Sequence, residues 1–175
     1  GDTDSVRIYI YDWVSSSSSF VENAYFTGGG SYGRNTDVYG DFIAVANYAA
    51  NVVSVYHNVD GSWSYMQDLT NTAGTFGYSV STGNNVISVG DYNYNSAQGS
   101  VSVFQYDGTS FELTNTFAGA SSSAYFGTSI GISSDGGYLA MLEYLTYKLY
   151  VAYGNVPTPS PTPAHNPNSS SLTET

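Results

Sequence analysis

An all-β fold of repeated four-stranded antiparallel units is the architecture this sequence predicts, and three observations carry the prediction. A short marker recurs as Tyr32-Gly33-Arg34-Asn35-Thr36, Phe76-Gly77-Tyr78-Ser79-Val80 and Phe126-Gly127-Thr128-Ser129-Ile130, its copies starting 44 and 50 residues apart. A brief apolar stretch follows every copy, and an alternating apolar segment comes after that. No segment from 5 to 153 sustains a 3.6-residue apolar period, so no helix longer than two turns is expected.

The chain opens on Ser5-Val6-Arg7-Ile8-Tyr9-Ile10-Tyr11-Asp12, where Val and Ile alternate with polar and aromatic residues, as a strand with one buried face requires. The apolar stretches Phe42-Ile43-Ala44-Val45, Val86-Ile87-Ser88-Val89 and Tyr138-Leu139-Ala140-Met141 read as buried inner strands. Alternation returns in Val53-Ser54-Val55-Tyr56, in Ser100-Val101-Ser102-Val103-Phe104-Gln105-Tyr106-Asp107, which aligns with the opening segment, and in Leu149-Tyr150-Val151. Asp60-Gly61-Ser62-Trp63 and Asp107-Gly108-Thr109-Ser110-Phe111 each supply a turn and then an aromatic residue that starts another strand. In the clearest copy the strands are predicted at 77–82, 86–91, 100–106 and 110–117, the content of one propeller blade.

This ordered series resembles the FG-GAP repeats of integrin-type β-propellers over about residues 5–153. The resemblance implies a β-propeller-like fold, an extracellular or cell-surface setting, and ligand contact through loops on one face. At the family's glycine-alanine-proline position stand Ala46-Asn47-Tyr48, Gly90-Asp91-Tyr92 and Leu142-Glu143-Tyr144, and the family's calcium loop is replaced by the carboxylate-free connection 82–85. Neither a metal nor another cofactor is therefore expected. By this count the sequence holds two late strands, two full repeats and about three further strands. Closed propellers use roughly four to eight blades, so a partial array, or one completed by another subunit, is expected.

The folded region is expected at 1–154 and a Pro/Ser/Thr-rich tail or linker at 155–175, because Val156-Pro157-Thr158-Pro159-Ser160-Pro161-Thr162-Pro163 favours polyproline II. Hydroxyls spaced by proline make Thr158, Ser160 and Thr162 candidates for O-glycosylation, and Asn168-Ser169-Ser170 is an N-glycosylation acceptor pattern.

Fourteen acidic residues against Arg7, Arg34 and Lys148 give a net charge of −11, a surface that repels a phosphate backbone, so nucleic acid is not an expected partner. Absence of cysteine excludes disulfides and thiol chemistry. No apolar run approaches the roughly 20 residues that cross a bilayer as a helix, so membrane insertion is not expected.

Candidate chemistry is sparse. Gly127-Thr128-Ser129-Ile130-Gly131 matches G-x-S-x-G, but it lies in the repeat marker, and the only downstream histidine is His165. Asp91, Asn93 and Asn95 have the spacing that opens a calcium loop without its glycine and distal glutamate, so turn formation is the favoured role. Gly28-Gly29-Gly30 lacks the lysine of a phosphate loop, and His57 has no second histidine in the folded region. Trp13, Trp63 and the 18 tyrosines have the apolar face and polar edge that suit sugar rings, although their strand positions favour packing. No catalytic residue is assigned. The expected function is that of a non-catalytic extracellular structural or adhesive repeat protein, a self-assembling filament subunit, with a protein- or glycan-binding propeller fragment as the alternative. Expected partners are further copies of the chain, other extracellular proteins, or a glycan.

Overall fold

The computed structural model describes residues 5–71 and 74–154. Thirteen strands and one helical turn follow in chain order: β1 (Val6–Val14), β2 (Ser19–Gly28), β3 (Tyr32–Tyr39), β4 (Phe42–Asn47), β5 (Val52–Val59), β6 (Ser62–Thr70), β7 (Ser79–Gly83), β8 (Val86–Asp91), α1 (Tyr94–Ala97), β9 (Ser100–Tyr106), β10 (Phe111–Ala118), β11 (Phe126–Ile132), β12 (Tyr138–Glu143) and β13 (Lys148–Tyr153). The all-β expectation holds, and each predicted strand of the clearest repeat copy is present. β7 starts two residues late because Gly77, at φ +91°, turns the chain so that the N–H groups of Gly77 and Tyr78 both donate to the Gly90 carbonyl at 3.1 Å.

The arrangement of the strands corrects the propeller expectation. They form four separate, open antiparallel sheets of two, four, four and three strands: β1-β2, β3-β4-β5-β6, β7-β8-β9-β10 and β11-β12-β13. The sheets are not closed into a propeller, although their strand counts follow the two late strands, two full repeats and about three further strands read from the sequence. Local alternation specifies strands and hairpins, so those are read from sequence. Closure depends on how whole sheets twist and abut, which the marker series does not encode.

Neighbouring sheets meet face to face around three apolar clusters. On β4, Ala44 and Ala46 point towards the third sheet while Ile43 and Val45 point towards the first, the period-two alternation of a strand buried on both faces. Phe76, Ile87, Val89 and Phe104 complete the cluster between the two middle sheets. Val6, Ile8, Ile10 and Phe26 of the first sheet lie on Tyr32, Ile43 and Val45, and Val101 meets Phe126, Leu139 and Met141 at the last interface.

Glycine permits the closest approach between sheets. A Cβ on Gly90 would lie 2.1 Å from the Gly127 carbonyl oxygen, and one on Gly127, itself at φ +81°, would lie 2.4 Å from that of Ser100. The Ser79 hydroxyl donates to the same Gly127 carbonyl at 2.7 Å, fastening the third sheet to the fourth at the marker itself.

Candidate functional site

Strands β4, β8 and β12 all end on a polar residue followed by tyrosine: Asn47-Tyr48, Asp91-Tyr92 and Glu143-Tyr144. Successive residues of an extended chain point to opposite sides, so the polar group turns inward and the tyrosine outward. The inward group holds the connection that leads into its own sheet. Asn47 donates from Nδ2 to the Gly29 carbonyl at 3.2 Å. Asp91 accepts the Thr75 N–H at 2.6 Å and its hydroxyl at 3.3 Å. Glu143 accepts the Ala120 N–H at 3.4 Å, the Tyr150 hydroxyl at 3.3 Å and the Thr146 hydroxyl.

The two buried carboxylates are held differently. Burial pushes the Asp91 carboxyl up from its ordinary value, against the opposing pull of the Thr75 donors. For Glu143 the Thr146 hydroxyl is the largest influence and holds the carboxyl below its ordinary value despite burial.

On the outward side the tyrosines run together across three sheets. Tyr48 lies 6.0 Å from Tyr78 edge to face, Tyr78 lies 4.4 Å from Tyr92 in the same manner, and Tyr92 stacks on Tyr125 at 5.8 Å. Such offset and edge-on pairs suit the ring quadrupoles. Tyr78, Tyr92, Tyr125, Thr128, Tyr144 and Leu145 line a cleft of about 600 Å³. Beside it lies a hollow of about 340 Å³, bordered by Arg34, Asn35, Tyr78, Ser79, Thr128 and Ser129. At the far end of the row the Arg34 guanidinium sits 5.3 Å from the Tyr48 ring centre and donates to the Tyr48 hydroxyl at 2.9 Å. The Ser31 hydroxyl chiefly, and then Arg34, hold that phenol below its ordinary value.

Two repeated positions supply most of this surface. The residue after the marker glycine gives Tyr78 and Thr128 to the cleft and Arg34 to the neighbouring hollow; the tyrosine after the inward polar group gives Tyr92 and Tyr144 to the cleft and Tyr48 to the row beyond it. In the sequence the second position stands out only as a departure from the glycine-alanine-proline signature, and the tyrosine that recurs in all three tripeptides is the signal of a shared face. Among the described residues no carboxylate lines the cleft, because Asp91 and Glu143 face the interior. Ring faces and phenol hydroxyls suit an uncharged ligand.

The residues singled out from sequence lie elsewhere or serve packing. Ser129 sits within β11, not on a strand-to-helix turn, so the nucleophile geometry of G-x-S-x-G is not formed. Asn95 donates from Nδ2 to Gln98 at 2.7 Å and does not join Asp91 in a ligand set. Among the described residues, no group of three or more His, Asp or Glu side chains is placed to hold a metal ion. His57 stacks on Phe42 at 4.6 Å. Trp63 packs against the cluster between the first two sheets, and Trp13 meets Phe20 on an exposed face. Thr158, Ser160, Thr162 and Asn168 lie outside the described residues.

No protein-family model matches the sequence, and no curated protein matches it. With four open sheets in place of propeller blades, the resemblance to FG-GAP repeats is not upheld, and the structural or adhesive repeat role, the filament and the propeller-fragment alternative drawn from it lose their support.

Proposed function

We propose that the chain is a non-catalytic recognition module, working outside the cell, that binds an uncharged, extended ligand along its tyrosine-lined cleft. The observation that carries this reading is the unbroken row Tyr48, Tyr78, Tyr92 and Tyr125, continued by Tyr144 around the cleft. Ligand sites are concave, largely apolar and furnished with a few polar groups, and a volume of about 600 Å³ falls within their ordinary range of roughly 300–1,000 Å³. The extracellular setting is supported by a composition rich in Ser, Thr, Asn and Tyr and by the proline-spaced hydroxyls of 156–163.

The test is titration of the full chain with neutral oligosaccharides and with proline-rich peptides, followed by tyrosine fluorescence. Binding of either class, weakened tenfold or more in Tyr92→Ala/Tyr125→Ala with an unchanged circular dichroism spectrum, is the expected result; tenfold corresponds to about 1.4 kcal/mol. Absence of binding by both classes, or full affinity in the double variant, overturns the reading.

A further inference from the structure

We propose that the occupant of the cleft is the proline-rich segment 156–163 of a second copy of this chain. This deepens the recognition reading and rests on it. A polyproline II helix has its backbone solvated and rises about 3.1 Å per residue, so its faces repeat roughly every 9 Å. The two successive ring spacings of 4.4 and 5.8 Å along Tyr78, Tyr92 and Tyr125 cover about one such turn. Grooves lined by aromatic rings recognise proline-rich segments because the ligand is already extended and loses little entropy on binding. The segment 156–163 is uncharged, which matches a cleft with no carboxylate among the described residues that line it and spares the ligand the repulsion of a chain with net charge −11.

Reach limits which part of the chain's own tail could enter the cleft. β13 pairs with β12 so that Lys148 lies opposite Glu143, beside the Tyr144 end, whereas Tyr153 lies opposite Tyr138 at the other end. Tyr153 and Gly154 border a different hollow, with Gly136, Gly137 and Leu139. Chain exit and cleft are therefore separated by the length of a six-residue strand, about 20 Å. Three residue steps lead from Gly154 to Pro157, and they extend about 11 Å at most. Pro157 and Pro159 cannot lie in the cleft of their own chain, so a second copy is what supplies the whole segment 156–163.

The experiment compares sedimentation velocity of the full chain with that of the full chain carrying Pro157→Ala, Pro159→Ala, Pro161→Ala and Pro163→Ala. The fourfold variant leaves the folded region untouched, and its vacant cleft is then titrated with a fluorescent peptide of residues 155–164. Expected are concentration-dependent association of the wild type, its loss in the fourfold variant, and peptide binding by that variant that Tyr92→Ala weakens tenfold or more. A wild type that stays monomeric, a fourfold variant that associates as the wild type does, or a peptide that does not bind overturns the proposal. If neutral oligosaccharides bind the cleft while the peptide does not, the recognition reading stands and the proline-rich occupant falls.

Discussion

The two middle sheets and the two end sheets use the same strand grammar to opposite effect. In β4 and β8 both faces are covered: Val45 and Ala46 on one strand and Val89 on the other are wholly inaccessible. In β13, Leu149 and Val151 remain 66% and 57% exposed, and in β1 Tyr9 and Tyr11 are exposed as well. A strand is made by its own alternation, but burial needs a neighbouring sheet on each side. The end sheets have one neighbour each, so their outer faces keep apolar groups in water.

That difference predicts a steep gradient in the cost of truncation. Phe76 is fully buried between the middle sheets, 6.2 Å from Phe104, and Phe76→Ala should cost about 3–5 kcal/mol through lost burial and the cavity left behind. Leu149→Ala on the outer face of the last sheet should stay within about 0.5 kcal/mol. Urea unfolding measures both. Equal costs would break the comparison, by showing that the outer face is covered in solution.

Second in size is Gly90→Ala. The added methyl has no free path, since a Gly127 backbone oxygen occupies its place at 2.1 Å and the Ser79 hydroxyl lies at 2.2 Å. Overpacking of this kind costs roughly 1–3 kcal/mol, and a backbone obstacle places the variant at the upper end. Gly40→Ala is the control for space, with nothing within 4 Å of its added carbon, though its φ of +58° adds backbone strain. Denaturant midpoints should therefore fall much further for Gly90→Ala than contact-free strain alone produces in Gly40→Ala.

These examples also mark what was legible in advance. Residues Val86, Ile87, Ser88 and Val89 announce a strand by composition, and the φ of +91° at Gly77 is foreshadowed by the glycine of the marker. Nothing in Leu149-Tyr150-Val151 distinguishes an exposed strand from the buried Val53-Ser54-Val55, because the difference lies in distant residues that do or do not pack against it. The tyrosine cleft was hidden for the same reason. Tyr78, Tyr92 and Tyr125 are far apart in sequence, and only the juxtaposition of β7, β8 and the chain before β11 makes them one surface.

The inward carboxylates sharpen the comparison through pH. Asp91, in a middle sheet, is raised above its unfolded value of 3.8, so the folded protein holds that proton more tightly; the associated stability is full below about pH 3.8 and is lost as pH rises through the folded value. Glu143, in an end sheet, is lowered below 4.5, so its contribution is present above that pH and is lost as pH falls through the folded value. Asp91→Asn should raise the melting temperature at pH 7 by an increment that vanishes near pH 3. Glu143→Gln should lower it at pH 7 by a deficit that shrinks on acidification. Opposite signs at pH 7 are the expected outcome, and matching signs would show that the two sites are not electrostatically distinct.

The smallest effect is expected in the first sheet, where Trp13 and Phe20 face each other across the β1-β2 ribbon with ring centres 5.1 Å apart. Both rings are mostly in water, at 57% and 67% exposure, so Trp13→Ala removes a cross-strand aromatic pair and very little burial. Pairs of that kind contribute about 0.2–1 kcal/mol, well under the expected cost at Phe76. Two-stranded ribbons are marginal by themselves, and this one is held by its inner face, where Val6, Ile8, Ile10 and Phe26 lie on the second sheet. Hydrogen exchange should therefore show Trp13→Ala loosening amides near the tip, around 12–20, while those of Ile8 and Phe26 keep wild-type protection. Loss of protection along the whole ribbon would mean that the exposed pair, and not the inner face, anchors the end sheet.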